Sequence, residues 1–283
     1  MEVTATVSGL KERLAEARTD GKRVGFVPTM GALHEGHASL LAACRKENDV
    51  VVASIFVNPC QFNNVEDLAT YPRSLEADCK LLEAEGCDYA FVPQEDEIYP
   101  VPDLRTFDYG KLTALLEGHS RPGHFDGVLR VVSRLFEIVQ PTSAYFGLKD
   151  YQQFLVVREL VRREGLPVLL RPCPVIRHNN GLACSSRNGR LDEAALRRAT
   201  ILYETLKGTV VSPCLTPPET KKRVHERLQG EADLRLDYFD IVNACTLETA
   251  EKWSDPYPKV GLLALYVGEV RLIDNIAYDA LTF

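Results

Sequence analysis

The chain has 283 residues and a formal charge of −7 at pH 7; 45% of its residues are hydrophobic and 26% are charged. That profile excludes a disordered chain and allows one large domain or two smaller ones. A net acidic chain is also a poor general nucleic-acid binder, which needs a basic face for phosphates, so any anionic ligand must be met by a local cationic pocket.

No apolar run approaches the roughly 20 residues of a membrane span. Met1-Glu2-Val3-Thr4 lacks the basic-then-apolar order of a secretion signal. The cysteines, Cys44, Cys60, Cys79, Cys87, Cys173, Cys184, Cys214 and Cys245, include no C-x-x-C pair. They read as reduced, mostly buried thiols of a cytoplasmic protein, not as zinc ligands or disulfides.

In chain order, Val7, Leu10, Leu14 and Ala17 fall on one helical face. Arg23–Pro28 reads as a strand, about Gly36 to Asn48 as a helix, and Val50–Val57 as a second strand. Pro72 and Ser74 open a helix that stops at Gly86, and Asp88–Val92 is a third, short strand. An irregular stretch rich in Pro and Tyr follows. Val128, Val131, Leu135 and Ile138 then mark a helix, Ser143–Phe146 a strand, Asp150 the cap of another helix, and Val168–Ile176 the last strand of this set. Such alternation predicts a parallel sheet with helices on both faces. Past about residue 188, helices near Asp192–Leu206 and Pro218–Leu228, with a Gly208–Pro218 loop, precede strands Leu236–Val242, Leu262–Val267 and Val270–Ile273. The last two are separated by Gly268 and suggest a hairpin in a smaller α+β domain.

Parallel sheets bind ligands at the carboxyl ends of their strands. Pro28–His37, Asn58–Phe62 and Gly147–Gln153 all follow expected strands, so they should converge on one crevice. In the first, His34 and His37 share one face of a helix's first turn, where imidazole N–H groups and the helix dipole favour phosphate oxygens. The segment is not a P-loop, because His37 and Ala38 stand where Lys and Ser/Thr are needed, and it lacks the H-E-x-x-H spacing of a zinc protease. Asn58 and Gln61 could hold a carboxylate or hydroxyl, although Asn58-Pro59 by itself reads as a turn. Lys149 precedes a helix start and suits a phosphate, and Gln152 and Gln153 could face the crevice. Ser185-Ser186-Arg187 reads either as an oxyanion loop or as a solvated interdomain linker. Arg121-Pro122-Gly123-His124 places a cation and an imidazole in a loop before a helix.

Taken together, these segments resemble the pantothenate synthetase family. The matching motifs are Met30-Gly31-x-Leu33-His34-x-Gly36-His37, Asn58-Pro59-x-Gln61-Phe62, Tyr71-Pro72-Arg73, Arg121-Pro122-x-His124-Phe125, Gly147-x-Lys149-Asp150-x-Gln152-Gln153, Ser185-Ser186-Arg187-Asn188 and Arg271-Leu272-Ile273-Asp274-Asn275, in the family's order. The first motif alone indicates only the wider nucleotidyltransferase superfamily. The resemblance implies a Rossmann-like α/β domain over residues 1–175 and a smaller C-terminal α+β lid over 176–283. It implies ATP-dependent condensation of (R)-pantoate with β-alanine to pantothenate, AMP and pyrophosphate through a non-covalent pantoyl adenylate, with Mg²⁺, in a homodimer with no nucleic-acid or membrane partner.

By the same resemblance, His37, His34 and Lys149 are catalytic. ATP would meet Met30, Gly31, Ala32, Leu33, His34, Glu35, Gly36 and His37, then Gly147, Leu148, Lys149 and Asp150, and finally Ile176, Cys184, Ser185, Ser186 and Arg187. Gln61 and Gln153 would hold pantoate with Asn58 nearby, and Asp78 is a candidate Mg²⁺ ligand. Leu148 stands where the family often has Glu, Asn180 where it often has Asp, and Cys60 and Cys184 where Met or another apolar residue is usual. A decayed, nucleotide-sensing relative would be expected to lack the histidines or Lys149; all are present.

Overall fold

Six strands of the computed structural model, β1 (Glu2–Thr4), β2 (Val24–Thr29), β3 (Val50–Ile55), β4 (Tyr89–Phe91), β5 (Ser143–Gly147) and β6 (Leu169–Cys173), form one parallel sheet in the order β1-β4-β3-β2-β5-β6. The structure describes residues 1–210, 214–281 and 283. β2 and β3 read as continuous apolar runs because both faces of the sheet are covered. Alternate residues therefore enter different cores. Phe26, Val52 and Phe146 pack on one side with Leu129, Phe136 and Phe154; Val27, Val51, Ala53 and Tyr145 pack on the other with Leu41 and Leu82. The helices on those faces include Val7–Thr19, Glu35–Glu47, Leu75–Ala84, His124–Val139 and Tyr151–Glu164.

From β2 the chain winds outward through β3 to β4, then returns to β5 on β2's other side. The carboxyl ends of β2 and β5 thus flank the switch point at which such sheets open a ligand crevice.

Strands β7 (Leu234–Asn243), β8 (Lys259–Val267) and β9 (Val270–Ala277) form an antiparallel sheet, with β8 and β9 as the expected hairpin. One face packs Phe239, Ile241, Leu263 and Leu265 against Leu202, Leu206, Val224 and Leu228 of the neighbouring helices. Val242, Val260 and Leu262 join the first domain's core instead. No helix among the described residues is long and apolar enough to cross a membrane.

Several local details differ from the sequence reading. The edge strand β1 was not expected. The helix expected over Asp192–Leu206 is two helices, Glu193–Ala199 and Ile201–Val210, the second of which runs through Gly208. Of the expected Gly208–Pro218 loop, residues 208–210 are therefore helical, Pro217 and Pro218 open the helix Pro217–Gln229, and residues 211–213 lie outside the described residues. Asp150 occupies the cap position of Tyr151–Glu164, but its side chain makes no cap hydrogen bond; a short 3₁₀ turn, Leu148–Asp150, precedes it and the carboxylate turns to Lys149 Nζ at 3.6 Å.

Candidate active site

The loop between β2 and the helix Glu35–Glu47 is held in an unusual backbone path. Gly31 has φ +80° and Ala32 φ +49°, a left-handed conformation that costs a non-glycine residue energy. Asp78, buried on the helix Leu75–Ala84, fixes this path: its Oδ2 accepts from the N–H of Ala32 at 2.9 Å and its Oδ1 from that of Leu33 at 2.7 Å. Asp78 therefore anchors the loop. Each carboxylate oxygen thus takes a backbone N–H, and Asp78, the candidate Mg²⁺ ligand of the sequence, lies outside the lining of the cavity that opens beside this loop.

The loop delivers His34 to the N-cap of the helix. His34 Nδ1 accepts from Gly36 N–H at 3.1 Å, and His37 Nδ1 accepts from His34 N–H at 3.3 Å, a reciprocal capping box built from two imidazoles. Gly36 is required here, because a Cβ would stand 2.8 Å from His34 Cε1. With Nδ1 accepting, the proton of each neutral ring sits on Nε2. Burial lowers the His34 pKa to about 4, aided by Lys149 and His178 and opposed by Asp150. Burial lowers His37 to about 3, aided by His34 and Lys149.

A cavity opens beside this turn. Its lining joins Met30, His34, Gly36 and His37 with Gln61, Gly147, Lys149, Asp150 and Gln153, and with Ile176, Cys184, Ser185, Ser186 and Arg187. The separated sequence segments do converge. Gly31, Ala32, Leu33, Glu35, Leu148 and Asn58 lie outside the lining. Ala32 and Leu33 bind Asp78 through their N–H groups, and the carbonyls of Leu148 and Lys149 accept from Asn275 Nδ2 of β9 at 2.8 and 3.0 Å.

Asn58 is fully buried and acts one step behind the cavity. Its Nδ2 donates to Gln61 Oε1 at 3.1 Å and to the Gly127 carbonyl at 3.0 Å, while Oδ1 accepts from the Tyr99 hydroxyl at 3.1 Å. The Gln61 amide is thereby oriented, with Nε2 directed at Met30 Sδ, 2.9 Å away. The two adjacent glutamines part company: Gln153 lines the cavity, whereas buried Gln152 donates to the carbonyls of Leu112 and Leu115.

Arg187 is not a free cation. It donates to Asp67 at 2.8 Å, and Arg190 donates to the same carboxylate at 2.6 Å, leaving the trio with one net positive charge. Ser186 Oγ donates to the Ala32 carbonyl at 3.0 Å, so this segment is docked onto the β2 loop.

Behind Gln61, His124 Nδ1 donates to the Gln61 carbonyl at 2.8 Å, and its Nε2 accepts from Arg121 Nη1 at 3.1 Å. Burial, then Arg121, lowers His124 to about 3. Arg121 lies 3.6 Å from Glu117, which also takes two donors from Arg271, at 2.6 and 3.0 Å, and the Tyr238 hydroxyl at 2.7 Å. Burial alone would raise the Glu117 pKa, but the hydrogen bonds and charge of Arg271 bring it to about 2. The sequence does not single out Asp67 or Glu117, which lie in no matching motif, and it carries Arg271 only within the Arg271–Asn275 motif, without a role.

A sequence model described as pantoate-beta-alanine ligase matches residues 2–277. A pantothenate synthetase of Bacteroides thetaiotaomicron is 48% identical over 279 residues, covering 98% of this chain and 99% of that protein. One from Porphyromonas gingivalis is 46% identical, covering 99% and 100%. The crystal structure of a pantothenate synthetase from Thermus thermophilus superposes with a TM-score of 0.91 at 43% identity, covering 98% of this chain and 99% of that one. A pantoate-beta-alanine ligase from Francisella tularensis, solved in complex with beta-gamma ATP and beta-alanine, superposes with a TM-score of 0.83 at 36% identity, each chain 98% covered. With matches of this length and identity lying over a cavity assembled from the same motifs, the chain belongs to the pantothenate synthetase (pantoate–β-alanine ligase) family.

Proposed function

We propose that the cavity binds ATP along the His34–His37 turn, Lys149 and Ser185–Arg187, and pantoate between Gln61 and Gln153, and that the two react to form a pantoyl adenylate. The observation that carries this reading is the pair of neutral imidazoles whose Nδ1 atoms are occupied by backbone N–H groups. Each ring then offers an Nε2–H donor at the positive end of a helix. Fixed donors of this kind stabilise charge that develops on phosphate oxygens. Their lone pairs are turned away, so neither ring serves as a base, and an attacking carboxylate needs none.

In the first half-reaction a pantoate carboxylate oxygen bonds to the α-phosphorus, the bond to the bridging oxygen breaks, and pyrophosphate leaves with the electron pair. An anion approaching a polyanion is repelled, and Lys149 with the net charge of the Asp67 trio offsets that repulsion. In the second, the neutral amine of β-alanine attacks the acyl carbon, AMP leaves, and the amine's surplus proton passes to water. No serine or cysteine nucleophile is required, and positioning supplies much of the rate. The Francisella relative, solved with beta-gamma ATP and beta-alanine, supports the substrate classes.

Mg²⁺ would enter with the nucleotide and neutralise phosphate charge. A hard cation that keeps several waters and takes one or two carboxylates fits a cavity in which Asp150 is the one lining carboxylate among the described residues. We divide the chain into a catalytic domain, 1–175, and a lid, 176–283. The contacts of Ser186 with Ala32 and of Arg187 with Asp67 support closure of the lid on the nucleotide side.

The test is exchange of labelled pyrophosphate into ATP with pantoate present and β-alanine absent. Exchange that depends on pantoate is the expected result. A folded sample with Mg²⁺ that exchanges nothing under these conditions, yet makes pantothenate when β-alanine is added, would refute a freely formed adenylate.

A further inference from the structure

Glu35, His178 and Cys184 bring their ligating atoms within 4.8 Å of one another at the edge of the cavity. The chemistry proposed above gives none of them a bond or a proton to handle. Cys184 Sγ lies 3.7 Å from His178 Nε2 and 3.9 Å from Glu35 Oε2. With Zn–S about 2.3 Å and Zn–N about 2.0 Å, a tetrahedral ion spaces its sulfur and nitrogen ligands about 3.5 Å apart, so small side-chain shifts would close the set around one ion.

The backbone prepares this arrangement. Residues 176–184 form a hairpin in which Cys184 N–H donates to the Ile176 carbonyl and His178 N–H to the Leu182 carbonyl, both at 2.9 Å, on either side of an Arg177–Ala183 bridge. His178 and Cys184 are thus diagonal neighbours on one face. Arg177 pins the hairpin through two bonds to Asp274, at 2.6 and 2.9 Å, and by lying 4.1 Å above the Tyr203 ring. Glu35 comes from the first turn of the Glu35–Glu47 helix, on the opposite side. It and His178 are exposed, which gives an ion a way in, while Cys184 is buried.

We propose that Glu35, His178 and Cys184 form a zinc-class divalent-cation site, distinct from the Mg²⁺ that enters with the nucleotide. Thiolate and imidazole select a borderline-soft ion over Mg²⁺. Three protein ligands leave a fourth tetrahedral position open to water or another ligand. Binding displaces the thiol proton to solvent. An ion held there ties the hairpin to the helix of the two histidines and so restrains the Ser185–Arg187 segment. This restraint rests on the catalytic reading above; the binding itself does not. The cysteine spacing gave no zinc signal, because Glu35 lies 149 residues from Cys184 in the chain.

The test is equilibrium competition for Zn²⁺ against a chromogenic chelator, using the full chain without substrates, together with the absorption spectrum of the Co²⁺-loaded protein. One ion per chain, a thiolate-to-cobalt charge-transfer band and no displacement by excess Mg²⁺ are expected. His178→Gln should weaken zinc binding by at least about 10- to 100-fold while leaving the metal-free melting temperature and exchange rate unchanged. Cys184→Ser should remove the cobalt band. If both variants bind zinc as the unaltered chain does, or if only His34→Ala loses it, the ion sits elsewhere and the proposal is overturned. Zinc inhibition of pyrophosphate exchange that disappears in His178→Gln would support the restraint; full zinc occupancy with undiminished exchange would overturn it. A chain that shows no exchange under any condition would count against the catalytic reading without altering the binding result.

Discussion

The backbone N–H of His34 donates to Nδ1 of His37 at 3.3 Å, and the two rings lie 4.2 Å apart between centroids. His37 thus caps a helix with one nitrogen and faces the cavity with the other, and substitution can separate these roles. A glutamine at this third helical position can accept the same N–H through its carbonyl, but it then cannot present a donor where Nε2–H stands. His37→Gln should keep the urea midpoint nearly unchanged while pantoate-dependent exchange falls about 100- to 1,000-fold. His37→Ala should lose the same rate and in addition about 1 kcal/mol of stability. Exchange at the full rate in His37→Gln would remove the donor role.

Acid should weaken the fold in a defined order. His34, His37 and His124, lowered to about 4, 3 and 3, stay neutral when folded but bind protons near pH 6.5 when unfolded. The unfolded state binds more protons between these limits, so their stabilising contribution is full above about pH 6.5 and declines as pH falls toward 3. Glu117, brought to about 2, adds a second loss that begins near its ordinary value of about 4.5 and runs downward. Urea midpoints measured from pH 8 to 4 should therefore fall first below about 6.5. His124→Gln should shallow the slope between pH 6.5 and 5; an unchanged slope would exclude a contribution from that histidine.

The sheet is legible in the sequence because β2, β3 and β5 are buried on both faces and alternate with helices whose apolar stripes are clear. β1 is not: only Thr4 of its three residues is buried, too little for any period. The histidine pair is legible because spacing within one helical turn is local. Its supports are not. Asp78 acts across 45 and 46 residues, Asp67 across 120 and Glu117 across 154, so only the assembled fold brings them to their partners. Gln152 and Gln153 show a further limit. Neighbours on a helix point about 100° apart, so only one could face the cavity, and which one depends on how the helix is rotated against the sheet.

Asp78→Asn tests the loop anchor. The amide keeps one acceptor and turns an N–H₂ toward a backbone N–H, leaving a buried donor without a partner, at a cost of about 1–3 kcal/mol. The left-handed path at Gly31 and Ala32 should relax and misplace His34. A raised KM for ATP and a lower urea midpoint are expected, with the Mg²⁺ concentration for half-maximal activity unchanged. A large shift in the Mg²⁺ requirement, with stability intact, would make Asp78 a metal ligand instead.

Asn58 and Gln61 should separate by readout. Among the described residues Gln61 Oε1 has one partner, Asn58 Nδ2, and the Gln61 side chain lines the cavity. Gln61→Ala should raise the KM for pantoate, leave that for ATP unchanged and barely move the urea midpoint, since the carbonyl that receives His124 belongs to the backbone. Asn58→Ala removes partners from Gln61, Gly127 and Tyr99 in a fully buried position. It should cost about 1–3 kcal/mol and also raise the pantoate KM, because the Gln61 amide is then free to turn. An Asn58→Ala chain that is destabilised while its pantoate KM stays unchanged would show that Gln61 needs no such support, and would confine Asn58 to the core.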